Sequence, residues 1–181
     1  MILTRTPYRI SFFGGGTDYP EWFTKHEYGA VLGSTIDKYC WIAVRPPSRF
    51  GPRYKVVYSR TENCESLDKI QHPAVRECLR YFKADAAEIH HWGDLPAQSG
   101  MGSSSAFVVG LVNALYRFIH PKDPSPSKYY LASVATTIER DILKETVGCQ
   151  DQILTAWGGM NTVRFSRQGM DVVPKHRDGG W

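Results

Sequence analysis

The chain has 181 residues, of which 42% are hydrophobic and 22% charged, and its formal net charge is +4. These values predict an ordinary folded domain with one sizeable core and no low-complexity tract. The basic excess is scattered over Arg45, Arg49, Arg53 and Lys55, then Lys175, His176 and Arg177, which is too thin for a nucleic-acid stripe.

Four cysteines, Cys40, Cys64, Cys78 and Cys149, show no C-x-x-C pair and no metal-ligand spacing, so reduced thiols are expected. The sequence has no apolar run that could span a bilayer, and its N-terminus lacks a signal-peptide layout. The expectation is a cytoplasmic protein with no membrane and no nucleic-acid partner.

In chain order, Ile10 to Phe12 reads as the end of a strand stopped by Gly14-Gly15-Gly16. From Ala30 to Val44 both alternating faces are apolar, Tyr39, Trp41 and Ala43 on one and Cys40, Ile42 and Val44 on the other, which predicts a strand buried on both sides. Tyr54, Val56 and Tyr58 mark a neighbouring strand. Pro73 starts a helix carrying Val75, Leu79 and Phe82. Glu88 to Trp92 is a strand that feeds a Gly/Ser loop. A helix from Phe107 to Ile119 follows, with Phe107, Leu111, Ala114 and Phe118 on one stripe. Ser127 caps a further helix that carries Leu131, Ile138 and Ile142 inward and closes at Gly148. Asn161, Val163 and Phe165 form a late strand, and no element is expected after Gly169. Paired strands followed by helices give an α+β class rather than alternating βαβ units.

Three segments could carry chemistry. The loop Leu95 to Ala106 sets Gly100, Gly102 and the hydroxyls of Ser99, Ser103, Ser104 and Ser105 before a helix. Glycines let backbone approach a ligand, and free N–H groups at a helix start attract an anion. The loop lacks the lysine of a Walker sequence. The segment Arg9 to Tyr19 reads either as a strand-end turn or as a pocket floor with Asp18 accepting sugar hydroxyls; Arg9, flanked by apolar residues, needs a partner. Asp151, in the bracketed segment Gly148 to Gly159, is either a turn aspartate or a general base. Glu139 is either an exposed helix residue or a magnesium ligand. Together these parts make a phosphoryl-transfer set: phosphate loop, metal carboxylate, base and positive charge.

The three segments resemble the ordered motifs of the GHMP small-molecule kinases. Arg9-Ile10-Ser11-Phe12-Phe13-Gly14-Gly15-Gly16-Thr17-Asp18-Tyr19 is similar to the family's substrate motif. Pro96 to Ala106 resembles its phosphate loop, and Asp151 stands where the family has its catalytic aspartate. Thr4 to Phe12, Thr35 to Tyr39, His72 to Glu77 and Gly148 to Gln152 are most similar to heptose 7-phosphate kinases.

The resemblance implies a two-layer sheet-and-helix domain over residues 1–168, followed by a tail, 169–181, that begins a missing second domain. It implies ATP and Mg²⁺ as cofactors, held by Pro96, Gln98, Ser99, Gly100, Met101, Gly102, Ser103, Ser104 and Ser105, with Ser104 and Glu139 on the metal. Asp151 and Arg9 would be catalytic, and Gly15, Gly16, Thr17, Asp18 and Tyr19 would bind substrate. Gln98 and Met101 depart from the family's glycine and leucine. The implied reaction phosphorylates the anomeric hydroxyl of a heptose 7-phosphate, a step toward activated heptose for surface polysaccharide. The alternatives are a binding remnant, half of a two-chain kinase, or another sugar such as fucose. A homo-oligomer or a partner chain would cover the face left by the missing domain. Arg5, Lys38 and Arg76 are candidates for holding the 7-phosphate.

Overall fold

The structure is a computed structural model that describes residues 1–96 and 99–175. Gln98, His176 and Arg177 therefore lie outside the described residues. Strand β1 (Ile2–Phe13) leads through the glycine loop and the short α1 (Pro20–Phe23) to the long β2 (Tyr28–Arg45), its antiparallel partner. The first half of β2 pairs with β6 (Met160–Ser166), and the second half pairs with β5 (Ala87–Gly93). The hairpin of β3 (Tyr54–Val57) and β4 (Thr61–Cys64) joins β5 through a parallel β3–β5 pair. The seven strands run β4-β3-β5-β2-β6-β7, with β1 on β2.

Alternation decides which face is buried. In β1, Thr4, Thr6 and Tyr8 point inward; in β2, Cys40, Ile42 and Val44 do. The opposite face of β2 is not buried as expected. Ala43 is covered, but Tyr39 and Trp41 are only half-buried, and Leu3 and Trp92 beside them are exposed. The covering group there is the Arg5 guanidinium, 4.4 Å from the Tyr39 ring centre, because helix α3 packs on the Thr4 and Thr6 face instead.

Helix α2 (Pro73–Tyr81) starts as its proline predicts, with His72 as N-cap accepting from the Val75 N–H. Helix α3 (Ser103–Ile119) is the centre of the core. It buries every residue from Ser105 to Val112, far more than one stripe, because it touches β1, β2 and three other helices. Gly110 is what permits this approach: a Cβ there would lie 2.7 Å from Thr6 Oγ1.

The helix expected to close at Gly148 ends at Ile142 instead, and Ile142 is exposed rather than inward. Helix α4 (Lys128–Thr136), capped by Ser127, runs into a π-helical turn at Thr137–Ile142. A loop then leads to α5 (Gln150–Trp157). The π turn widens the helix where Ile138 and Glu139 are both buried. Asp151 is therefore in the first turn of a new helix, not in a loop after an old one. The tail also differs from expectation. Gly169–Pro174 forms β7, paired with β6, and Met170 and Val172 alternate inward against the cluster of Val163 and Phe165. Among the described residues, no helix is long and apolar enough to cross a membrane.

Candidate active site

The site grows from three chain segments that meet at one end of α3. Gly102 takes a left-handed conformation, φ 69°, as N-cap of α3, and no side chain among the described residues caps the helix. The first N–H groups of a 17-residue helix thus stay open, with the helix dipole behind them. The Ser99 hydroxyl in the same loop is buried with no hydrogen-bond partner among the described residues. An open helix start beside an orphaned hydroxyl is what a phosphate group would complete.

Arg9 binds this loop to the rest of the site. Its backbone N–H donates to the Met101 carbonyl at 3.0 Å and its Nη1 to the Gly100 carbonyl at 2.8 Å. The remaining fork grips Asp151, Nε to Oδ1 at 2.7 Å and Nη2 to Oδ2 at 2.5 Å. The partner that Arg9 needs is therefore Asp151, 142 residues away in sequence. Arg9 faces an open pocket of about 480 Å³ that is also lined by Ser11, Gly14, Gly15, Gly100 and Gln150, among others; Asp151 stands behind Arg9, one residue after Gln150.

Glu139 is fully buried, not an exposed helix residue. Its Oε1 accepts from Ser104 Oγ at 2.9 Å; its Oε2 accepts from Ser105 Oγ at 2.9 Å and Gln152 Nε2 at 2.6 Å. Burial pushes its carboxyl up from the ordinary value, and these donors pull the other way. The donor chemistry fits magnesium. Ser104 Oγ and Glu139 Oε1 are hard oxygens 2.9 Å apart, and neighbouring ligands of an octahedral ion bound at 2.0–2.1 Å sit about 3 Å apart.

The glycine-loop residues split into two groups. Gly15 lines the pocket, and Gly16 has open space where a Cβ would be. Thr17 and Asp18 are turned into the protein. The Thr17 hydroxyl bonds the Gly14 and Ala30 carbonyls. Asp18 is fully buried, and its oxygens accept from the N–H of Gly16, the N–H of Gln150 and the Gln150 side chain. It braces the glycine loop against the start of α5. The Tyr19 hydroxyl reaches the Thr146 carbonyl at 3.5 Å.

None of the candidate phosphate cations lines the pocket beside Arg9. Arg5 is stacked on Tyr39, Arg76 bonds the Ile70 carbonyl and Glu77, and Lys38 is exposed.

A second cavity, of about 500 Å³, opens beside Ser103 and Ser104. Its aromatic walls were not anticipated from sequence. His72 stacks on Phe107 at 5.0 Å, His91 meets Phe107 edge-on at 4.9 Å, and Tyr58 meets His72 edge-on at 5.0 Å. Burial lowers the pKa of both imidazoles below the ordinary value.

An uncapped helix start, a buried carboxylate at hydroxyl distance and an Arg-gripped aspartate thus meet at one end of an α+β domain. Residues 69–159 match the N-terminal domain of the GHMP kinases, and the chain belongs to that family. It is 30% identical to a D-glycero-α-D-manno-heptose 7-phosphate kinase of Campylobacter jejuni over 99% of this chain, but over 55% of that protein. The chain thus spans about half the length of that curated relative. A D-glycero-D-manno-heptose 1-phosphate kinase of Bacteroides thetaiotaomicron has the same fold, with a TM-score of 0.85 at 23% identity over 98% of this chain and 61% of that one. A Campylobacter jejuni protein described as a putative sugar kinase superposes with a TM-score of 0.70 at 25% identity over 96% of this chain and 56% of that one.

Proposed function

We propose that this domain serves the ATP-dependent phosphorylation of the anomeric hydroxyl of a heptose 7-phosphate, giving the 1,7-bisphosphate. The observation that carries the reading is the Arg9–Asp151 fork, whose arginine lines the pocket and is tied to the loop at the start of α3. One side chain thereby links the group that would handle the hydroxyl to the backbone that would hold the phosphates. The C. jejuni relative supports the heptose 7-phosphate substrate.

In this reading the sugar lies in the pocket beside Arg9, Ser11 and Gly15, with its anomeric hydroxyl toward Asp151. As the oxygen attacks the γ-phosphorus and the bond to ADP breaks, the hydroxyl proton passes to Asp151. The open N–H groups of α3 and the Ser103 to Ser105 segment hold the phosphates. The aromatic cavity of His72, Phe107 and Tyr58 takes the nucleoside. Ser104 and Glu139 would hold Mg²⁺, which supplies neutralisation of phosphate charge when bound.

The test is incubation of the chain with Mg-ATP and heptose 7-phosphate, with mass spectrometry for the bisphosphate. A panel of fucose, galactose and heptose 1-phosphate fixes the substrate. Asp151→Asn should lower the rate by about 10²–10⁴-fold without loss of folding. Equal rates in the two proteins would remove Asp151 from the chemistry. A phosphorylated product from another sugar alone, a monophosphate in the case of fucose or galactose, would overturn the heptose assignment.

A further inference from the structure

The mechanism above leaves one buried polar group unused. Gln152 follows Asp151 on α5, about 100° further round the helix, and none of its surface is exposed. Its Nε2 donates to Glu139 Oε2 at 2.6 Å, the shortest of the bonds to that carboxylate. Its Oε1 is buried with no partner among the described residues. An apolar side chain of similar size would pack here without leaving an orphaned acceptor. The amide is therefore costly unless both of its ends are used.

We infer that Gln152 is a positioning residue for the divalent ion: its amide N–H sets the orientation of the Glu139 carboxylate. Its carbonyl is then the acceptor for a water carried by that ion, the kind of donor that the orphaned Oε1 lacks. The inference rests on Glu139 and Ser104 being the metal pair of the proposed function. It adds a mechanical consequence. Because Asp151 and Gln152 are consecutive on one helix, α5 holds the aspartate with one residue and aims the metal carboxylate with the next. The separation between proton acceptor and ion is then set by a single rigid element. An outer partner of a ligating carboxylate commonly changes metal affinity by about 10–100-fold when removed.

The experiment is a Mn²⁺ titration followed by electron paramagnetic resonance, in the presence of a non-hydrolysable ATP analogue, on the full chain. Wild type is compared with Gln152→Met, which keeps the volume, and Gln152→Asn, which keeps the amide one methylene short. Melting curves and metal-free nucleotide affinity are measured beside it. The expected result is a half-saturating Mn²⁺ concentration raised about tenfold or more in both variants, with metal-free nucleotide affinity within twofold of wild type. Unchanged Mn²⁺ half-saturation overturns the inference. So does a parallel loss of metal-free nucleotide affinity, or failure of both variants to fold, since either makes Gln152 a core strut. If wild type itself retains no Mn²⁺ with nucleotide, the metal pair of the proposed function falls, and this inference falls with it.

Discussion

Each of the three Arg9 guanidinium nitrogens donates to a partner of fixed position: a loop carbonyl and both oxygens of Asp151. A planar fork can do this and an ammonium cannot. Arg9→Lys should therefore keep the charge and still lower kcat by at least tenfold, with little change in KM for ATP. Steady-state kinetics at saturating sugar would check this. Asp18 makes the opposite kind of prediction. Its oxygens accept from two backbone N–H groups and one amide. Asp18→Asn turns one of those oxygens into a donor facing a donor. It should cost about 1–3 kcal/mol in a chemical denaturation curve. A variant of unchanged stability that only raised KM for the sugar would return Asp18 to the substrate. The two residues lie nine positions apart in one legible motif. The sequence marks Arg9 as a charge that needs a partner and reads Asp18 as either a turn residue or a sugar binder, but only the fold shows that one faces the pocket and the other faces inward.

At the scale of elements, the glycine before α5 is a sharp constraint. A Cβ on Gly148 would stand 1.8 Å from Asp18 Oδ2. Gly148→Ala should displace the brace and the helix start together. The expected loss is about 2 kcal/mol or more, a fall of roughly 4–8 °C in melting temperature, together with loss of activity. The cavity walls give a pH signature. His72 caps α2, His91 lies on β5, and burial is the largest cause of the lowered pKa of each; Glu62 on β4 opposes the shift at His72. An imidazole lowered in the folded state leaves stability unaffected well above pH 6.5. As the pH falls below 6.5, the unfolded chain takes up the proton first, and the fold loses stability until the folded pKa is passed. Melting curves from pH 8 to 5 should fall on the acid side, and His91→Phe should flatten that fall. An identical slope in the variant would remove His91 as its source. Neither histidine announces this role in the sequence, because the stack is made by α2, α3 and β5 coming together.

For the whole molecule, a ligand that binds only the folded chain must stabilise it. A non-hydrolysable ATP analogue with Mg²⁺ at about 100 times its Kd should add about 2.7 kcal/mol. Differential scanning fluorimetry reads this as a rise in melting temperature, and no rise at any concentration would contradict a nucleotide site. Five strands are legible in part, β1 by its end, β2 by apolar residues on both faces, and β3, β5 and β6 by short β-rich runs, while the rest of β1 and all of β4 are not. The family motifs were legible because glycine, serine and aspartate stand in fixed order. The breaks were not. The π turn at Thr137–Ile142 continues an unbroken apolar rhythm. Gln150–Trp157 starts as a polar, glycine-led segment whose helical start depends on Asp18, 132 residues away. Strand β7 is a polar edge whose inward residues are only Met170 and Val172.

The single guanidinium shared by the loop and the aspartate also bears on thermodynamics. A ligand that draws the Gly100 carbonyl or the Met101 backbone into a new position must re-aim Arg9, and with it Asp151. Under the proposed function, nucleotide and sugar would then not be independent guests. Whatever factor one changes the other's dissociation constant by, the second must return to the first. Cutting the guanidinium back should make the two bind as strangers.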